Sequence, residues 1–152
     1  MTPLEKLKAW LGTSPGFAIF SDFWVDYTDR VDPGTGSISP GGLVEIERRR
    51  DIVGNVTVTN QYNFSIYCVL EKAPGDDAGA TINADWVMDL QEWAQEQSVL
   101  GLAPVFGDVP REEKIMAQNG VLYDINEGAA TYMVQLSVKF IKKFEVKDKW
   151  PI

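Results

Sequence analysis

Polar and apolar residues alternate with unusual persistence through the middle of the chain. Val56, Val58, Tyr62, Phe64, Ile66, Cys68 and Leu70 all fall on even positions, and the odd positions from Asn55 to Ser65 are nearly all polar. A period of two marks a strand with one buried face. It predicts a single strand over Asn55–Glu71, against a mean strand length of ~5–6 residues. The same alternation returns at Tyr132, Val134, Leu136, Val138 and Phe140, for a last strand continuing to Val146. Leu43–Ile52 reads as a further strand, with Val44 and Ile46 on one face, Glu45 and Glu47 on the other, and a hairpin turn at Val53-Gly54-Asn55. Phe17–Tyr27 is dense in aromatic and β-branched residues, and Val121–Ile125 suggests a short strand before a turn at Asn126–Gly128.

Two segments switch to the helical period. Thr2-Pro3-Leu4-Glu5 has the makings of a capping box with proline at the first helical position, after which Leu4, Leu7, Trp10 and Leu11 share a face and Gly12 ends the helix. Ile82, Trp86, Leu90, Trp93 and Ala94 form the stripe of a second helix, capped by Thr81 or Asn83 and closed by Gly101–Pro104. Between the first two strands, Asp32–Gly42 (DPGTGSISPGG) holds two prolines and four glycines and is expected to be a flexible loop. Ala73–Ala80 is expected to be another loop. The order α-β-β-β-α-β-β specifies an α+β fold, a mainly antiparallel sheet with two helices packed on one face, in one domain spanning residues 1–152.

Strand length bears on assembly. A strand over residues 55–71 would reach ~55 Å at ~3.3 Å per residue, whereas a compact domain of this size is roughly 40 Å across. The strand must bend, carry a bulge, for which Asn60 is the natural place, or project beyond its own domain. Projection leaves a long edge that another subunit would cover, so a homo-oligomer is expected.

Composition narrows the chemistry. The 152 residues carry a formal charge of −8 and no histidine. The acidity argues against a general nucleic-acid binder, and the missing imidazole excludes Ser-His and Cys-His nucleophiles and histidine metal sites. Cys68 is the single cysteine, so no intrachain disulfide exists, and Met1–Gly12 lacks the apolar run of a signal peptide; an intracellular origin is expected. No window approaches a membrane span. Cys68 falls on the apolar face and reads as an inert thiol. Asp76-Asp77 lacks calcium-loop spacing, and Gly34-Thr35-Gly36 with Gly41-Gly42 lacks the lysine and hydroxyl residue of a phosphate loop. Asp22 and Asp26 flank Trp24 on one strand face and offer paired carboxylates for an enzyme or ligand-binding reading. Arg48-Arg49-Arg50 is the basic run, with Arg49 facing opposite to its neighbours; surface charge, an inter-subunit salt bridge and a polyanion patch all remain open. Lys139, Lys142, Lys143, Lys147 and Lys149 read as a solvated face.

In order, the opening helix Leu4–Leu11, the strand ending NFSIYCVL (63–70), the Trp-rich helix Asn83–Gln97 running into GLAPVFGD (101–108), and the segment GAATYMVQLSVKF (128–140) resemble the tail terminator, or minor capsid and tail-completion, proteins of long-tailed bacteriophages and prophages. The resemblance implies a non-enzymatic subunit without cofactor or metal. Self-association into a ring, usually a hexamer, would cap the head-proximal end of the tail tube, stop its polymerisation and dock the head–tail connector. DNA would pass the acidic lumen without specific binding, no membrane would be involved, and the protein would belong to the virion neck after assembly in the host cytoplasm. In this picture the 32–42 loop and the arginine run supply the interface, with Pro33, Ile38, Pro40, Arg48, Arg49 and Arg50 as its candidate residues. Another neck, tail-completion or tail-tube component is the alternative within the class; a small α+β enzyme or ligand-binding domain is the alternative outside it.

Overall fold

The structure is a computed structural model and describes residues 2–25, 33–71, 77–125 and 128–146. Helix α1 (Pro3–Leu11) opens as the sequence specifies. The Thr2 hydroxyl accepts from the Glu5 amide while the Glu5 carboxylate accepts from the Thr2 amide, and Pro3 takes the first helical position. Strands β1 (Asp22–Val25), β2 (Thr35–Arg50) and β3 (Val56–Glu71), helix α2 (Asp77–Val99), and strands β4 (Lys114–Ile125) and β5 (Ala129–Phe144) follow. They form one five-stranded sheet in the order β1-β2-β3-β5-β4, antiparallel except for the β1–β2 pair. The fold is α+β, with the element order read from the sequence.

The core lies between one sheet face and both helices. Leu7, Trp10 and Leu11 of α1 and Val87, Leu90 and Ala94 of α2 meet Ile38, Phe64, Ile66, Cys68, Val134, Leu136 and Val138. Trp10 and Trp93 stack at 4.6 Å, and the Trp10 indole donates to Gln97 Oε1 at 3.1 Å, so the two helices are joined by both an apolar and a polar contact. α2 begins at Asp77, ahead of both expected caps; Ile82 is exposed, and the face packed on the core starts at Trp86. Asn83 caps nothing; its amide donates to the Glu71 carbonyl and ties the helix to the end of β3.

The strands differ from expectation in instructive ways. Pro15–Ile19 is a 3-10 turn, not the start of a strand, because Pro15 suits its first position and Phe17 and Phe20 pack on Trp86 and Phe23. The stretch 35–42, expected as a loop, is the first part of β2. Ladder bonds need no side chains, and at Gly36 a Cβ would meet the Phe23 ring and the Tyr67 carbonyl at 2.9 and 3.0 Å, so only glycine lets β2 lie this close. Pro40 sits where no neighbour asks for its amide, and Gly42 takes φ +116 beside the first of two bulges in β2. Asp32 lies outside the described residues. The bulge expected at Asn60 belongs to the partner strand: β3 pairs β5 without a break from Val56 to Glu71, while β2 shifts register between Glu45 and Glu47, opposite Asn60. β4 starts seven residues earlier than expected. Asn119 (φ 53) and Gly120 interrupt its alternation at a bulge, which conceals the strand in the sequence.

Candidate assembly surfaces

The sheet has two unlike lateral edges. On one side β1 pairs β2 only from Thr35 to Ile38, and among the described residues no strand pairs the outer edge of β2 from Ser39 to Arg49. Here the sheet outruns its core. The apolar cluster takes Phe64, Ile66 and Cys68 from β3 but nothing from residues 56–60. The far parts of β2, β3 and β5 form a three-stranded arm, closed by a hydrogen-bonded turn in which the Asp51 amide donates to the Asn55 carbonyl and the Gly54 amide to the Asp51 carbonyl. Leu43, Val44 and Ile46 are about half exposed along this arm, and Ile52 and Val53 stand fully in solvent at its tip.

The base of the arm is braced by the 105–113 connection. Phe106 packs against Tyr62 and Phe140, the Glu113 carboxylate accepts the Phe106 and Gly107 amides at 2.8 Å each, and Asp108 takes up β5 where β4 ends. Its amide donates to the Ile141 carbonyl and its carboxylate accepts the Lys143 amide, both at 2.7 Å. A Cβ on Gly107 would collide with the Ile141 backbone. Glu113 and Asp108 escaped sequence reasoning; the Phe-Gly-Asp triplet was visible, but its partner strand lies more than thirty positions further along the chain.

The bulges decide which face each charge takes. Directly paired residues of an antiparallel ladder share a face, so the register puts Glu45 (opposite Asn60), Arg48 (opposite Val58) and Arg50 (opposite Val56) on the helix side, and Glu47 and Arg49 on the other. Without the extra residue, positions 45 and 48 would point apart. With it, Arg48 Nε donates to Glu45 Oε1 at 2.7 Å, and Arg49 pairs with Glu47. The hydrogen bond and then the charge of Glu45 raise the Arg48 pKa. Arg49 does face away from its neighbours, as alternation requires, but Glu45 and Glu47, expected on one face, are split across the two by the bulge between them.

The opposite lateral edge is a groove. α2 lies along β4, and between them Gln91, Gln95 and Val99 face Ile115 and Ala117 around a space of about 430 Å³. Ser98 Oγ accepts the Ile115 amide at 3.1 Å, fixing the helix to the strand at one end of the groove. Asp85, Asp89, Glu92 and Glu96 stand exposed on the outward side of α2, which contains no lysine or arginine. Further along β4, Val121, Leu122, Tyr123 and Ile125 are about half exposed.

Of the candidate interface residues, Pro33 is exposed just before β2 and Pro40 within it, and Arg48, Arg49 and Arg50 are exposed near the arm's tip. Ile38 is a correction: it is wholly buried in the chain's own core, opposite Ile66, and presents nothing to a partner. Asp22 and Trp24 share the sheet face turned away from the helices, beside Thr35 and Ser37; Asp26 lies outside the described residues. Asp76 is also outside them. Among the described residues, no three histidine, cysteine, aspartate or glutamate side chains group as metal ligands. Cys68 is fully buried, and loss of solvation pushes its thiol well above the ordinary range. Lys139 and Lys143 share the outer face of β5 while Lys142 takes the other; Lys147 and Lys149 lie outside the described residues. No protein-family model and no curated protein matches the chain.

Proposed function

We propose that this protein is a structural assembly subunit, a tail terminator of a long-tailed bacteriophage or prophage, which forms a ring on the head-proximal end of the tail tube, halts its growth and offers a surface to the head connector. It acts by occupying surfaces, without catalysis or cofactor, in the virion neck after assembly in the host cytoplasm. DNA passes its acidic lumen unbound. The observation that carries this reading is the arm: three strands of 16, 16 and 16 residues run on past the helices that roof them and end in exposed apolar side chains. Exposed apolar surface of this kind marks a contact site. Two different surfaces on opposite edges of one sheet suit a head-to-tail contact, which closes into a ring when the rotation permits.

The β2 edge itself resists strand addition. Its two bulges, Pro40 and its ion pairs are the devices that keep edges from pairing with other chains. Side chains, rather than a continued sheet, therefore make the contact. Negative-stain microscopy of the purified protein with tube protein tests the proposal: rings of roughly 100 kDa for a hexamer, and tubes that stop lengthening on addition, are expected. Tubes that grow unchanged in its presence would sink it.

A further inference from the structure

The turn at the end of the arm is chemically anomalous. Hairpin tips favour Gly, Asn, Asp and Ser, yet between Asp51 and Gly54 this one presents Ile52 at 106% and Val53 at 81% exposure. Nor is it a frayed end. Besides its two backbone bonds, the Asp51 carboxylate accepts the Asn55 amide at 2.9 Å, so the two side chains are held out on a built support. The same chain cannot shelter them. The groove between α2 and β4 lies at the level of Asn63 in the ladder, through Met116 opposite Ser137 and Ser137 opposite Asn63. The tip is therefore ~20 Å further along the strands and nearer the opposite edge.

We propose that Ile52 and Val53 of one copy seat in the α2–β4 groove of a second copy, an inference that rests on the ring reading and names its contact. The groove has the volume of a small-ligand pocket (~300–1,000 Å³), with apolar surface at Val99, Met116 and Ala117 and a polar rim that includes Gln91, Glu92 and Lys114. Charge favours the same pairing: Arg50, with Arg48 and Arg49 beside it in their exposed pairs with Glu45 and Glu47, approaches an α2 that carries Asp85, Asp89, Glu92 and Glu96 and no base. A stable interface removes ~800 Å² from each partner. Two side chains fall short of that, and Leu43, Val44 and Ile46 along the arm complete the contact. Knob and groove are different surfaces, so each copy gives one and receives one, the head-to-tail contact that a ring requires.

The only native thiol is buried, which makes introduced cysteines specific reporters. The variant carrying Ile52→Cys and Gln95→Cys is oxidised at about 1 mM, where even a millimolar contact is populated. A pair carrying Ile52→Cys and Glu5→Cys serves as control, with circular dichroism to confirm that both fold. The expected result is a ladder of disulfide-linked species from the 52–95 pair, at least tenfold faster than from the control, and only dimers when the two single variants are mixed. No 52–95 link, or equal rates from both pairs, overturns the contact. Rings that form without the 52–95 link would reject this contact and leave the ring standing; ladders from a protein that fails to stop tube growth would keep the contact and reject the tail reading. A second variant, Ile52→Ser with Val53→Ser, is expected to sediment as monomer with its melting temperature unchanged; assembly equal to the parent's overturns the proposal.

Discussion

The two halves of β3 have the same alternation and the same unbroken pairing with β5, yet they are covered differently. From Phe64 to Cys68 the even positions are sealed beneath α1 and α2. From Val56 to Asn60 they are buried too, but the register places Val58 between Arg48 and Lys142, Val56 between Arg50 and Phe144, and Asn60 between Glu45 and Phe140. Long charged side chains can roof apolar surface while their ends stay in water. A period of two thus reveals which face is sheltered, and says nothing of whether a helix or a set of aliphatic stems does the sheltering.

The contrast is sharpest where packing is densest. Leu136→Ala, under the helices, is expected to cost ~2–5 kcal/mol, read as a lower midpoint in urea at unchanged slope. A loss below ~1 kcal/mol would mean that the near half is no tighter than the far half. Gly107→Ala tests the brace at the arm's base: its Cβ has no room against Ile141, and a cost of ~1–3 kcal/mol is expected from the forced shift. Cys68 adds a pH signature to the near half. Its thiol holds the proton more tightly when folded, so its contribution is complete below the unfolded value of ~8.5 and is lost as pH rises beyond it, by up to ~1.4 kcal/mol per pH unit. Urea midpoints between pH 8 and 10 should fall more steeply for the parent than for Cys68→Ala. Thr2→Ala removes the capping hydroxyl of α1 and should cost ~1 kcal/mol, visible as a small drop in melting temperature. At the far end, Arg49→Ala should leave thermal stability where it was, since its ion pair with Glu47 lies on the face away from the buried valines and is screened by water; a clear loss would show the arm to be more than a surface.

Much of the fold was legible because periodicity is a local signal. The capping box of α1, the even face of β3 and the run from Tyr132 to Phe140 stand where the residues put them. Thr35–Gly42 was not legible, for glycine and proline there answer to a neighbouring Phe23 ring and to an unpaired edge, both set by tertiary structure. The assembly surfaces were half visible. The arginine run and the overlong strand were in the sequence, but Ile38 turned inward, and the groove exists only because α2 happens to lie along β4. Ile52 and Val53 were hidden in plain view as the end of one strand and the start of a turn.

The unbroken ladder along β3 also has a mechanical consequence. Its hydrogen bonds to both neighbours lie across the strand direction, so tension applied along the ribbon loads them together in shear rather than peeling them one at a time. The bulges at Gly41 and Ile46 interrupt β2, which leaves β3 with β5 as the stiff spar of the molecule and β2 as the compliant one. A pull between the tip and the helical body would travel along that spar and reach the roofed half before any bond at the tip had to give.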